Sequence, residues 1–168
     1  APPEPAGRDV AEPVYGAPAR WIAPAEQEAA AVAGFSVVTP TEVVATHLLE
    51  TLKQNFGRLF TRRTMRKLLD EFVNPSDPGR AAANRKILDE YVPDKVPLDQ
   101  LQSVLRLLLA EQVSVRNLPL ILEAIGEING STQVPEALCE HVRHRLGFQI
   151  TAGLQEPDGA LPLVQLNP

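Results

Sequence analysis

The sequence predicts a mainly α protein, α+β overall, with a central all-helical subdomain flanked by short strand-containing pieces. Three observations predict it. Residues 92–125, VPDKVPLDQLQSVLRLLLAEQVSVRNLPLILEAI, are leucine-dense, with Leu98, Leu101, Val104, Leu105 and Leu108 at the three-and-four spacing of one helical face. Residues 39–42, TPTE, carry the signature of a helix start: a capping Thr39, a proline at the first helical position and Glu42 placed to close a capping box. The β-branched and aromatic runs are short and bounded by proline and glycine.

Taken in chain order, residues 1–16 are rich in proline and glycine and read as an extended or disordered lead. Residues 17–38 read as the tail of an αβ subdomain. Within it, residues 19–22 form a short strand, Pro24 opens an alanine-rich helix to about Val32 with Gly34 as its stop, and residues 35–38 form a second strand. Residues 39–127 read as the helical subdomain. Its first helix runs to about Phe60 with Val44, Leu48, Leu52, Phe56 and Leu59 inward. Thr61 caps the next, which buries Met65, Leu68, Leu69 and Phe72. The loop at residues 74–79, NPSDPG, leads to a helix with Ile87, Leu88 and Tyr91 inward that ends before Pro93. Residues 92–125 then read as a tight helical hairpin. Pro97 stands in the first turn of its first helix, and Asn117 caps the second above Leu118, Ile121, Leu122 and Ile125. Residues 128–168 read as the start of a further α+β subdomain: a helix over 135–146 stopped by Gly147, then strands at 148–152 and 161–166 around a Pro157-Asp158-Gly159 turn.

Composition limits the function classes. The apolar fraction is 44%, enough for a core, but aromatics make up only 5%, so aliphatic residues must fill it. The net charge of −5 argues against sequence-wide attraction to nucleic acid. Cys139 is the single cysteine, so no internal disulfide can form. No apolar run reaches the ~18 residues a membrane-spanning helix needs, so this segment is not expected to enter a membrane. The N-terminus lacks the pattern of a signal peptide and opens on APPEPAG, which reads as the edge of a fragment.

Candidate chemistry is thin. Cys139, His141 and His144 invite a metal reading, but a closed zinc site needs four ligands and His47 is far away in sequence. A cysteine nucleophile needs a base and an activating environment, and a buried structural thiol is the commoner state. The acidic pairs Asp70-Glu71 and Asp89-Glu90 are adjacent on helices and do not face each other. No phosphate-cradling or nucleophile-elbow motif is present. The expectation is no catalytic residue, no cofactor and no metal.

The basic run stands apart. Arg58, Arg62, Arg63, Arg66 and Lys67 place five cations within ten residues with no acid between them. One reading is a solvated helix face. The other is docking onto an acidic surface, such as a neighbouring copy of this chain, the rest of which is acidic. Nucleic acid is a third, disfavoured because no aromatic residues alternate with the cations.

Four stretches resemble the FHIPEP family, the export-gate components of type III secretion that include flagellar biosynthesis protein FlhA. They are residues 12–22, EPVYGAPARWI; residues 36–50, SVVTPTEVVATHLLE; the run at 92–125; and the stretch from Gly147 to Pro168 with its DGALP segment. Together they span residues 12–168 in the family's order. Thr39 and Asn117 stand where the family usually has Asp, and both still cap helices. The loop at 74–80 replaces a more regular family stretch. The resemblance implies the C-terminal cytoplasmic region of a protein whose N-terminal half spans the bacterial inner membrane. It implies a non-catalytic role in ring assembly with other copies. It also implies docking of export-apparatus components and substrate–chaperone complexes during flagellum assembly. A subdomain that contributes to the family's chaperone groove would lie upstream, so no chaperone-binding residue is assigned. In the family the helical subdomain contributes to ring contacts, which makes Arg58, Arg62, Arg63, Arg66 and Lys67 a candidate partner interface. The rival readings are a virulence-type secretion gate, a generic helical interaction module, and a hydrolase using Cys139.

Overall fold

In the computed structural model, residues 4–156 and 158–161 are described. The chain divides into two compact units, residues 1–54 and 55–168. This boundary differs from the expected limits at 38/39 and 127/128.

The first unit opens with an antiparallel hairpin, β1 (Gly7–Ala11) and β2 (Pro18–Ile22), in the register Gly7↔Ile22 to Ala11↔Pro18. Five residues of the expected lead, Gly7–Ala11, are therefore a strand. Pro5 precedes the ladder, and Pro13 and Gly16 lie in the turn, where the Glu12 carboxylate accepts from the Val14 and Tyr15 amides at 2.9 and 2.7 Å. Gly7 is required in β1, because a Cβ there would lie 2.2 Å from the Trp21 carbonyl oxygen. Across the hairpin, Arg20 donates to Asp9 at 2.7 Å and pairs with Glu4 at 2.8 Å. The first of these contacts is the main cause that raises the Arg20 pKa.

A 3-10 turn (Pro24–Glu26) leads into α1 (Gln27–Val32), and Gly34 then takes a φ of +90°, as expected of a helix stop. Residues 35–38 are not a strand. Their β-branched side chains favour extension, but among the described residues they gain no ladder partner, and propensity alone does not make a sheet.

Helix α2 (Pro40–Gln54) starts as read. The Thr39 amide donates to Glu42 Oε2 at 2.6 Å, and the Glu42 amide donates to Thr39 Oγ1 at 3.2 Å, a closed capping box. The expected inward face is not inward. Val44, Leu48 and Leu52 are exposed, and α2 has no buried residue at all. The helix also ends early: Asn55 breaks it, and α3 (Phe56–Leu59) follows with Phe56 and Leu59 exposed as well.

The second unit holds the core. Helix α4 (Arg62–Val73) is capped by Thr61, which accepts from the Thr64 amide, and buries Met65 and Leu69 with Leu68 and Phe72 partly covered. Helix α5 (Pro78–Tyr91) is capped by Asp77 and ends ahead of a cis Val92–Pro93 bond. Its inward residues Ile87, Leu88 and Tyr91 pack on the core as expected. Helix α6 (Leu98–Ala110) begins one residue later than read. Pro97 flanks it, lending its carbonyl to the Leu101 amide at 3.0 Å, and Leu98 is partly exposed rather than inward. Helix α7 (Leu118–Ile128) has the expected Asn117 cap, at 3.4 Å from the Leu120 amide.

The core is built from Leu101, Val104, Leu105 and Leu108 of α6 and from Leu118, Ile121, Leu122 and Ile125 of α7. Fully burying one such side chain is worth about 1.5–3 kcal/mol before entropy is counted. The two helices are not a tight hairpin. The connector at 111–117 redirects the chain, with Gln112 at a φ of +59°, and α8 (Pro135–Arg145) packs against both. Leu138, Cys139, Val142 and Leu146 close the core from that side, so residues 135–146 share the core of the helical unit and do not start a separate one.

The expected strand at 148–152 is part of α9 (Gly147–Leu154). Gly147 does not stop the helical path: Leu146 accepts from Gln149 and Ile150 at 2.8 and 3.1 Å, and Ile150 reaches the core. The alternating pattern FQITA fits a helix equally well, and tertiary packing decides. Gly159, at a φ of +83°, makes the expected turn; Leu161 is not in a strand, and residues 162–166 and Pro157 lie outside the described residues.

Candidate docking surface

The five predicted cations fall on α3 and α4, all in the second unit. Met65 and Leu69 turn inward, Arg63 and Lys67 lie on the opposite side of α4, Arg62 and Arg66 border the buried stripe, and all four are exposed. Arg62 reaches Asp99, at the start of α6, at 2.6 Å, while Lys67 stands 3.9 Å from Glu71. Arg58, Arg63 and Arg66 have no ion pair among the described residues.

Helix α3 holds Arg58 on a fixed platform. It packs on α6 at close range: a Cβ on Gly57 would sit 2.7 Å from the Arg106 carbonyl oxygen and 3.0 Å from Ala110 Cβ. Arg106 Nε donates to the Gly57 carbonyl at 3.0 Å and completes the attachment. The Arg62–Asp99 pair ties the next segment to the other end of α6. The chain from Gly57 to Arg62 is thus attached to both ends of α6, and Phe56, Leu59 and Leu98 stand 41%, 52% and 41% exposed. Sequence reasoning placed Phe56, Leu59 and Leu98 in the core and so missed the apolar part of this surface. No local signal marks it.

The other sequence candidates do not assemble into chemistry. Cys139 is only 4% exposed and packs in the core. Burial, and then the field of Glu111, push its thiol pKa up to about 11, opposite to what a nucleophile needs. His141 does not approach it as a base; its Nε2 lies 2.7 Å from Glu127. His144 is exposed, and His47 stands on α2 in the first unit. Among the described residues no three His, Cys, Asp or Glu side chains are placed to hold a metal ion. Asp70, Glu71, Asp89 and Glu90 are exposed. Around α8 the charges neutralise one another: Arg145 pairs with Glu123 and Glu127 at 3.4 and 3.3 Å, and Arg143 with Glu140 at 2.7 Å and with Glu111. The hydrogen bond to Glu111 is the main cause that raises the Arg143 pKa.

The first unit has a cleft of about 650 Å³ beside the hairpin, lined by Trp21, Ile22, Phe35, Val37 and Val43 among others. Its lining is largely apolar; of its charged members, Arg20 pairs with Asp9 and Glu4, and Glu12 accepts from the turn amides of Val14 and Tyr15. It lacks a nucleophile with a base.

The FHIPEP family pattern matches residues 3–168. The chain belongs to the FHIPEP family. Among individual FHIPEP relatives, it is 39% identical over 161 residues to flagellar biosynthesis protein FlhA of Caulobacter vibrioides, covering 96% of this chain and 22% of that protein. It is 34% identical over 158 residues to FlhA of Bacillus subtilis, covering 94% of this chain and 22% of the relative. The chain thus spans about a fifth of the length of these curated relatives. CdsV of Chlamydia pneumoniae shares the fold, with a TM-score of 0.66 and 24% identity over 88% of this chain and 41% of that one. CdsV in its complex with CdsO gives 0.65 and 22% over 84% and 39%.

Proposed function

We propose that this chain is a non-catalytic part of the bacterial type III protein-export gate and works in flagellum assembly. The observation that carries the reading is the 39% identity to a flagellar FlhA over 96% of the chain. The solved CdsV chains share the fold at only 22–24% identity, which favours the flagellar system over a virulence-type one. A helical unit whose one thiol is buried and unactivated, and whose histidines do not meet it, suits packing and positioning rather than catalysis.

Two finer roles go with this reading: ring assembly with other copies of the full protein, and docking of export-apparatus components and substrate–chaperone complexes. The solved complex of CdsV with CdsO supports the second by analogy, since a relative of the same fold meets another protein. We assign the partner interface to Arg58, Arg62, Arg63, Arg66 and Lys67. Residues 55–161 are read as the helical subdomain of the family plan, and residues 1–54 as the end of the preceding one. The working location is the cytoplasmic side of the inner membrane. Among the described residues no helix is long and apolar enough to cross a membrane, so any anchoring would come from other parts of the protein.

The test is an in-frame deletion of the region coding for this chain, complemented in trans, with flagellin assayed inside and outside the cells. The reading expects intracellular flagellin with none exported. Normal flagellin export would overturn it. Normal motility with loss of a virulence-type effector would move the assignment to the rival gate.

A further inference from the structure

Asn129 ends α7, and in the sequence it is the one asparagine followed by glycine. Asparagine is among the thermolabile residues, and glycine makes it more so. With no side chain, Gly130 leaves its backbone nitrogen free to attack the neighbouring side-chain amide.

The fold holds the two groups apart. Asn129 Nδ2 donates to the Lys95 carbonyl at 2.9 Å, across 34 residues of sequence. Only the amide nitrogen can meet a carbonyl, so this bond fixes which way the side chain points. The Asn129 backbone amide donates to Ile125 at 3.0 Å, and the residue keeps a helical φ of −59° and ψ of −27°. Closing a ring between its side-chain carbon and the Gly130 nitrogen requires ψ to turn well away from the helical value. Gly130 itself is open. It is exposed, a Cβ there would meet nothing within 4 Å, and its amide has no acceptor among the described residues.

The same bond ties α7 to the connector between α5 and α6. Lys95 precedes Val96, which is fully buried. Nearby, α7 meets the Tyr91 ring so closely that a Cβ on Gly126 would lie 3.0 Å from it. The tie has a weakness: Asn129 Oδ1 is buried with no hydrogen-bond partner among the described residues, and such an acceptor costs free energy.

We propose that Asn129 is a conditional site of self-modification, which deamidates when the end of α7 releases the Lys95 carbonyl. The Gly130 nitrogen forms a bond to Asn129 Cγ and gives up its proton. The Cγ–Nδ2 bond breaks, and ammonia leaves with that proton. Water then opens the five-membered imide at either carbonyl, leaving aspartate or an isoaspartyl linkage, and nothing is oxidised or reduced. At neutral pH the product carboxylate only accepts hydrogen bonds, so it cannot remake the bond to Lys95. A transient opening thus becomes a permanent release of the connector, with one negative charge added.

The experiment holds the whole 168-residue chain at mildly alkaline pH, with and without guanidinium chloride. Modification is read by peptide mass mapping and by isoaspartyl methyltransferase labelling. In denaturant, Asn129 should convert before any other asparagine, and G130A should slow it about tenfold or more. In the folded chain, conversion should be about tenfold or more slower than in denaturant, and should rise below the unfolding midpoint together with hydrogen exchange at Ser131 and Thr132. N129D should speed exchange of the Lys95 and Val96 amides while circular dichroism shows the variant folded. Equal rates in the folded and unfolded chain would overturn the proposal. So would conversion that begins only with global unfolding, or exchange at Lys95 and Val96 unchanged in N129D. None of these readouts involves flagellin export, so this chemistry and the export-gate reading can fail separately.

Discussion

Helices α2 and α7 both start at a side-chain cap, and their apolar stripes meet opposite fates. In the second unit, α7 meets α5 and α8, and Ile121, Leu122 and Ile125 reach zero exposure in a core shared with α6 and α8. In the first unit, α2 presents Val44, Leu48, Leu49 and Leu52 to solvent, and Ala30 of α1 is the one buried apolar residue among those described there. Both helices have a side-chain cap and an apolar stripe. The difference lies in cover. A stripe becomes core only when another element lies over it, and most helical stability in proteins comes from that cover rather than from propensity. The second unit contains its own cover. The first does not supply one for α2.

That contrast can be broken by mutation. The largest effect should come from Leu105→Ala in α6, which removes a fully buried side chain between well-packed neighbours. A loss of about 2–5 kcal/mol is expected in urea unfolding followed by circular dichroism. The matched change in α2, Leu48→Ala, should cost no more than about 0.5 kcal/mol in the same assay. A large loss at Leu48 would mean that α2 is covered in solution.

Gly57→Ala is next. The added Cβ would lie 2.7 Å from a backbone oxygen of α6, and backbone cannot yield as a flexible side chain can. The expected cost is about 1–3 kcal/mol, with loss of the α3–α6 attachment seen as shifted Arg106 signals in NMR. The thiol gives a chemical readout of the same asymmetry. With a pKa near 11, only about one Cys139 in ten thousand is thiolate at pH 7. Ellman's reagent should therefore leave the folded chain almost untouched and react at once in denaturant. Fast labelling of the folded chain would show that the core opens readily around α8.

The smallest effect concerns the exposed cap of α2. The backbone hydrogen bond from Thr39, and then that from its hydroxyl, lower the Glu42 pKa. A carboxylate lowered in the folded state stabilises it at pH values above the ordinary glutamate range, and that contribution is lost as pH falls through the lowered pKa. Glu42→Gln should therefore reduce α2 helicity at neutral pH and leave it unchanged in acid, as read by helical NMR shifts. An equal reduction at both would remove the carboxylate from the account.

These contrasts also separate what was legible in the sequence from what was not. Caps at Thr39, Thr61 and Asn117 depend on a few adjacent residues, and they are where the sequence places them. So are the inward faces of α4, α5 and α7. Errors fall where the outcome depends on a partner. The strand Gly7–Ala11 exists because Pro18–Ile22 pairs with it, residues 35–38 find no such neighbour, and Phe148 to Ala152 follow α8 into a helix. The inward assignment of Val44, Leu48 and Leu52 fails for the same reason. On the docking flank the cation count was legible. The link from Arg62 to Asp99, 37 residues away, and the apolar groups exposed beside it were not, because neutralisation and exposure are settled by packing.

The most direct test of the contrast is amide hydrogen exchange on the intact chain, resolved residue by residue. Amides in the middle of α6, α7 and α8 should exchange only through global unfolding of the second unit, while those of α2 should exchange orders of magnitude faster despite its closed capping box. Protection of α2 equal to that of α7 would contradict the account, since it would require a cover over Leu48 and Leu52.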